Sequence, residues 1–151
     1  MFQSKVDEFF QLLGANQIMV LATCANNKVT ARSMSFVIDN GKLYFQTSKN
    51  FCKYEQIKIN SNVAVCINNI QIEGICNEIG HPLEKSNSTF AQKYKEFFRG
   101  SYDAYSNLPS ETTFEITPSL ITVWGYDVGK PYREFYEFHS KTYHKEYLEL
   151  C

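Results

Sequence analysis

The chain has 151 residues, a net charge of −1 and an apolar fraction of 44%. One domain of that length buries about two thirds of its unfolded surface, and the apolar fraction excludes general disorder. The near-neutral charge argues against an extended nucleic-acid surface or a membrane-attracting field, and no apolar run approaches the length of a membrane span.

Residues 1–14 mix Lys5, Asp7 and Glu8 with apolar positions, unlike a secretory leader, so the expected location is cytoplasmic. Ser4 with Asp7 three residues on reads as a helix start. Val6, Phe9, Phe10 and Leu13 then recur at helical spacing, and Gly14 ends the helix. Gln17–Cys24 reads as a buried strand that turns at Asn26-Asn27. Val29–Ile38 follows, and Asn40-Gly41 between two apolar runs predicts a tight hairpin into Leu43–Thr47. A helix is expected from about Phe51 to Ile59, then strands over Val63–Ile67 and Ile70–Ile79. Gly74 inside the second of these marks a bulge or a close backbone approach.

Gly80-His81-Pro82 breaks the pattern, and Phe90, Tyr94, Phe97 and Phe98 predict a helix over 88–99. Gly100–Ser110 reads as a polar, turn-rich segment. Late strands are expected at Phe114–Thr117, Leu120–Tyr126 and Tyr132–Phe138. Short strands joined by tight turns predict a mainly β fold, an antiparallel split barrel in one domain over 1–151 with a few peripheral helices. The odd count of five cysteines, with no C-x-x-C pair, reads as free and mostly buried thiols. His81, His139 and His144 do not group with cysteines at metal-site spacing, so no metal is expected.

The segment Thr47-Ser48-Lys49-Asn50-Phe51-Cys52-Lys53 carries the clearest chemistry. A helix N-terminus is already partly positive and favours acids in its first turn. Here Lys53 falls in the first turn and Lys49 just before it, while the nearest acid, Glu55, comes later. Positive charge at a positive helix end fits an anion such as a phosphate between them. Arg32 is a third cation on the preceding hairpin, sharing a strand face with Thr30, Met34, Phe36 and Ile38. The opposite face, with Ala31, Ser33 and Ser35, is small enough for backbone to approach a flat ligand.

Residues 17–79 resemble the FMN-binding split-barrel proteins related to pyridoxamine 5′-phosphate oxidase. The matching pieces run in order through Met19-Val20-Leu21-Ala22-Thr23, Ala31-Arg32-Ser33-Met34-Ser35-Phe36, Lys42-Leu43-Tyr44-Phe45-Gln46-Thr47 and Lys53-Tyr54-Glu55-Gln56-Ile57. Asn62-Val63-Ala64-Val65 and Ile72-Glu73-Gly74 continue them. The pattern is most similar to the small nitroimidazole-reductase-like branch. The resemblance implies a homodimer with two FMN sites at its interface. It implies Arg32 and Lys53 on the FMN phosphate, Gln46, Thr47 and Ser48 beside the flavin or its phosphate tail, and the backbone of Ser33, Met34 and Ser35 along the ring edge. Trp124 resembles a late-strand tryptophan offered across the dimer, a core tryptophan being the alternative.

The chain also departs from the true oxidases. Phe51-Cys52 replaces the usual Ser-Arg before the lysine, and Val37 stands where they have a substrate-binding lysine. Their Arg-rich C-terminal signature is missing around Tyr132-Arg133-Glu134. These differences argue against vitamin B6 phosphate as substrate. No catalytic residue is assigned, since flavin chemistry asks little of the protein beyond binding and orientation. Two readings stay open beside a bland third, a barrel whose anion site binds nucleotides or nucleic acid, against which the near-neutral charge argues. One is an FMN-dependent oxidoreductase acting on a small aromatic or nitroaromatic compound, with NAD(P)H as a candidate electron donor. The other is a non-catalytic flavin- or haem-binding module, with His139 or His144 as a candidate haem ligand.

Overall fold

The structure, a computed structural model, describes residues 1–149. Its elements are α1 (Phe2–Leu13), β1 (Asn16–Ala25), β2 (Lys28–Asp39), β3 (Lys42–Ser48), α2 (Cys52–Ile59), β4 (Asn62–Ile67), β5 (Ile70–Gly80), α3 (Ser88–Phe97), α4 (Arg99–Tyr105), β6 (Glu111–Asp127), β7 (Lys130–Glu137) and β8 (Thr142–Tyr147). The strands form one antiparallel sheet in the order β3-β2-β1-β4-β5-β6-β7-β8, and β6 pairs back onto β3. Six strands thereby close the expected barrel, and β7 and β8 extend it on one side. No helix among the described residues is long and apolar enough to cross a membrane.

The hairpin turns follow their chemistry. Asn26 and Asn27 take φ values of 52° and 63°, and Asn40 and Gly41 take 51° and 75°. Two consecutive positive values match the right-handed twist of the flanking strands, and Asn and Gly reach that region most readily. The resulting β2 register turns Phe36 and Ile38 into the barrel, where they meet Leu21, Leu43, Phe45, Ile72, Phe114 and Ile116. Val37 points outward and is buried under Phe90 and Tyr94 of α3. Gly74 sits at a register shift opposite Pro118. A Cβ there would lie 2.6 Å from the Thr117 carbonyl oxygen, so the backbones approach too closely for any side chain.

Several expectations change. The first helix begins at Phe2, with Ser4 inside it bonding the Met1 carbonyl at 2.8 Å, so Ser4 is not the N-cap. Gly100–Ser110 is not all loop, because α4 occupies its first half and packs Tyr102 against the α3 cluster. The two strands expected at 114–126 are one, since Pro118 falls at the bulge and does not break the ladder. β8 was not expected at all; its side chains are mostly exposed and carry no apolar alternation. Among the described thiols only Cys76 is buried, while Cys52 and Cys66 are exposed and Cys24 is half-buried. Cys151 lies outside the described residues.

Candidate functional site

The end of β3 and the start of α2 form one wall of a cleft of about 520 Å³. Gln46, Thr47 and Ser48 come from β3, Asn50 and Phe51 from the connection, and Lys53 from the first turn of α2. Ser33, Met34 and Ser35 of β2 line the same cleft. Sequence reasoning did not select the other wall, which holds Tyr94 of α3, Ser101 and Tyr105 of α4, and Leu108, Ser110 and Glu111.

Local hydrogen bonds hold this geometry. The Asn50 N–H donates to Ser48 Oγ at 3.1 Å, a turn typical of serine. The Lys49 N–H donates to the Ser110 carbonyl at 2.9 Å, and the Glu111 N–H to that of Leu108 at 3.1 Å, which ties the two walls together. Phe51 caps α2 without a side-chain hydrogen bond, so the first-turn N–H groups keep their partial positive charge. Glu55 falls within that first turn, closer than its sequence position suggested, but its side chain is exposed.

Lys53 lines the cleft and Lys49 does not. Among the described residues neither lysine, nor Arg32, has a carboxylate within ion-pair distance. Burial holds the Lys53 ammonium below its ordinary pKa, and the nearby Arg32 guanidinium adds to the effect. Arg32 lies behind the cleft wall rather than in it. Its Nη1 donates to the Leu21 carbonyl at 3.2 Å and to Thr23 Oγ1 at 2.9 Å, and its Nη2 to Thr30 Oγ1. Both threonines also donate to Gln56 Oε1 of α2 at 2.6 Å. This uncharged network fixes the guanidinium beneath the start of α2 and leaves its charge unneutralised.

Thr47 is 4% exposed and its Oγ1 is buried without a hydrogen-bond partner. A lone buried hydroxyl costs about 1–3 kcal/mol unless something bonds it, so its place in the cleft wall suits an incoming polar group. Gln46 is 5% exposed and oriented at both ends, accepting from Ser106 Oγ at 3.0 Å and donating to Glu111 Oε2 at 2.8 Å. Burial raises the Glu111 carboxyl above its usual range, opposed by the Gln46 hydrogen bond and the charges of His81 and Lys53.

Trp124 stands apart from this cleft, on the outer face of β6. It is 42% exposed, so it is not a core tryptophan, and the Arg133 guanidinium lies 3.8 Å from its ring centre. The cleft lining, the Lys53–Arg32 pair and the orphaned Thr47 hydroxyl together fit a ligand with a phosphate tail.

Comparisons with known proteins agree with this architecture. General Stress Protein 26 from Bacillus anthracis is 23% identical with a TM-score of 0.61, covering 80% of this chain and 92% of its own. HutZ, the haem storage protein of Vibrio cholerae, is 15% identical with a TM-score of 0.66, covering 85% and 98%. A pyridoxamine 5′-phosphate oxidase-related, FMN-binding protein from Nostoc punctiforme is 14% identical with a TM-score of 0.62, covering 99% and 93%. These likenesses concern the fold. No curated protein matches the chain by sequence. The family model for pyridoxamine 5′-phosphate oxidase matches residues 3–125, most of the chain, and the protein therefore belongs to that family.

Proposed function

We propose that this protein is an FMN-binding homodimer that acts as an oxidoreductase on a small aromatic or nitroaromatic compound, in the manner of the nitroimidazole-reductase-like branch. The observation that carries the reading is the buried, unpartnered Thr47 hydroxyl beside Lys53, two cleft groups suited to a phosphate ester. Lys53 and Thr47 would hold the phosphate, with Arg32 adding charge from behind. Gln46 and Ser48 would flank the ligand, and the backbone from Ser33 to Ser35 would lie along the ring edge. Bound FMN supplies the hydride or electron transfer, and NAD(P)H is the candidate donor. Val37 lies under α3, away from the cleft lining. It offers no cation for a substrate phosphate, in keeping with a substrate other than pyridoxamine phosphate. Purified protein is expected to show flavin absorption bands or to acquire them with added FMN. A colourless protein that binds no FMN would overturn the proposal.

The similarity to a haem storage protein favours a second reading, a non-catalytic module holding haem or flavin. His144 stacks on Phe135 with ring centres 4.8 Å apart, on the β7–β8 extension rather than in the cleft. A Soret band in place of flavin bands would select this reading.

The dimer has physical support on the barrel's outer face. Ile18, Val20 and Val29 are 63%, 40% and 69% exposed; Ala22, Ala31 and Ala64 pair with one another on the same face, and the small Ser33, Ser35 and Cys66 stand across from Val20 and Ile18. A contiguous apolar surface of this kind marks an interaction site. Val20→Glu places a carboxylate in its middle and is expected to give a folded monomer by light scattering. A dimer unchanged by this substitution would move the interface elsewhere.

A further inference from the structure

Among the described residues Glu111 is the one acidic side chain in the cleft wall, and it is 5% exposed. An acid is an unexpected neighbour for a phosphate-binding lysine. Its Oε2 accepts the Gln46 hydrogen bond, and among the described residues no other hydrogen bond and no ion pair reaches the carboxyl. Gln46 cannot turn away easily, because Ser106 holds its other end. Oε1 is thus the oxygen left for the cleft.

The groups facing Glu111 leave it poorly compensated. Lys53 approaches from α2 and His81 from the segment after β5, both as charges at a distance rather than as partners. From α3 and α4 come the phenols Tyr94 and Tyr105. β3 contributes only the uncharged Gln46 and Ser48. Glu78, on β5, is engaged by Thr112, Lys58 and Tyr54. Burial already shifts this carboxyl's pKa upward, and a phosphate brought to Lys53 adds a like charge that shifts it further in the same direction.

We propose that Glu111 enters the ligand complex as a neutral carboxylic acid and donates its proton from Oε1 to the bound cofactor, so that FMN binding takes up one proton. The proton comes from solvent, forms the Oε1–H bond of the carboxyl and stays there, shared with the cofactor only as a hydrogen bond. This rests on the reading of the cleft as an FMN site and adds to it a specificity residue. A neutral acid tolerates the phosphate that an ionised one would repel, and it supplies a donor where a carboxylate has none.

The sign follows from linkage. When the complex binds one proton more than the free protein and ligand, affinity falls as pH rises, by up to about tenfold per pH unit between the free and bound pKa values of Glu111. The test is FMN titration of the full-length protein by flavin fluorescence, from mildly acidic to alkaline pH, comparing wild type with Glu111→Gln. Glutamine keeps the shape and a donor but cannot titrate, and the ligand's own ionisation is common to both proteins. Wild-type affinity is expected to weaken with pH relative to the variant. Calorimetry in two buffers of different ionisation enthalpy is expected to show about one more proton taken up by wild type. His81→Gln is expected to keep the fall in affinity with pH, displaced toward higher pH because the His81 charge no longer opposes protonation of Glu111. Parallel profiles for wild type and Glu111→Gln, or a profile abolished by His81→Gln, would overturn the inference while leaving the FMN site intact. No FMN binding at any pH would overturn the site and the inference together.

Discussion

Phe45→Ala is expected to destabilise the fold by about 3–5 kcal/mol. Phe45 is fully buried. It stacks on Phe114 with ring centres 5.3 Å apart and meets Phe36 edge-on at 5.6 Å. Phe45 and Phe114 are also direct partners where β3 pairs with β6. The truncation therefore opens a cavity at the seam that closes the barrel, where relaxation would have to shift two paired strands. Chemical denaturation of the flavin-free protein measures the effect. A loss below about 1 kcal/mol would show a core able to collapse around the gap.

Lys53→Ala is expected to weaken FMN binding by roughly 1.5–3 kcal/mol, the range for a charge-assisted hydrogen bond. That is about tenfold to more than a hundredfold in Kd. Riboflavin lacks the phosphate, so its affinity is expected to change little, and the ratio of the two Kd values isolates the phosphate contact. Arg32→Ala is expected to weaken FMN binding as well. It also removes the bonds to Leu21, Thr23 and Thr30, so some folding stability goes with it. Equal FMN affinity in wild type and both variants would mean that the phosphate does not bind here.

Much of this architecture is legible in the sequence because local chemistry and tertiary structure agree. Asn26-Asn27 and Asn40-Gly41 fix the first two hairpins, and the alternation in β2 orients Phe36 and Ile38 correctly. The cationic helix start was visible because charge at a helix end is a local property. The misses share another cause. β8 is an edge strand, stabilised by pairing with β7 rather than by a buried face, so it leaves no periodic trace. The strands at Phe114–Thr117 and Leu120–Tyr126 read as separate because the bulge that carries Pro118 between them depends on Gly74, far back in the chain. Glu111 escaped notice for the same reason. It begins a strand after a polar stretch, and only its pairing opposite Ser48 brings it into the cleft. The helical wall of Tyr94, Ser101 and Tyr105 likewise depends on how α3 and α4 pack.

The pairing of β3 with β6 also bears on how the molecule is made. Gln46 waits for a strand whose first residue lies 65 positions later. During synthesis β3 emerges early and stays an open edge, showing Leu43 and Phe45 to water and to other chains. Joining residues so distant costs loop entropy before any contact repays it, so closure is expected to be a late and slow event in folding. One wall of the cleft and the last seam of the barrel then appear together, and a chain that stops before β6 is left with a sticky edge and half a binding site.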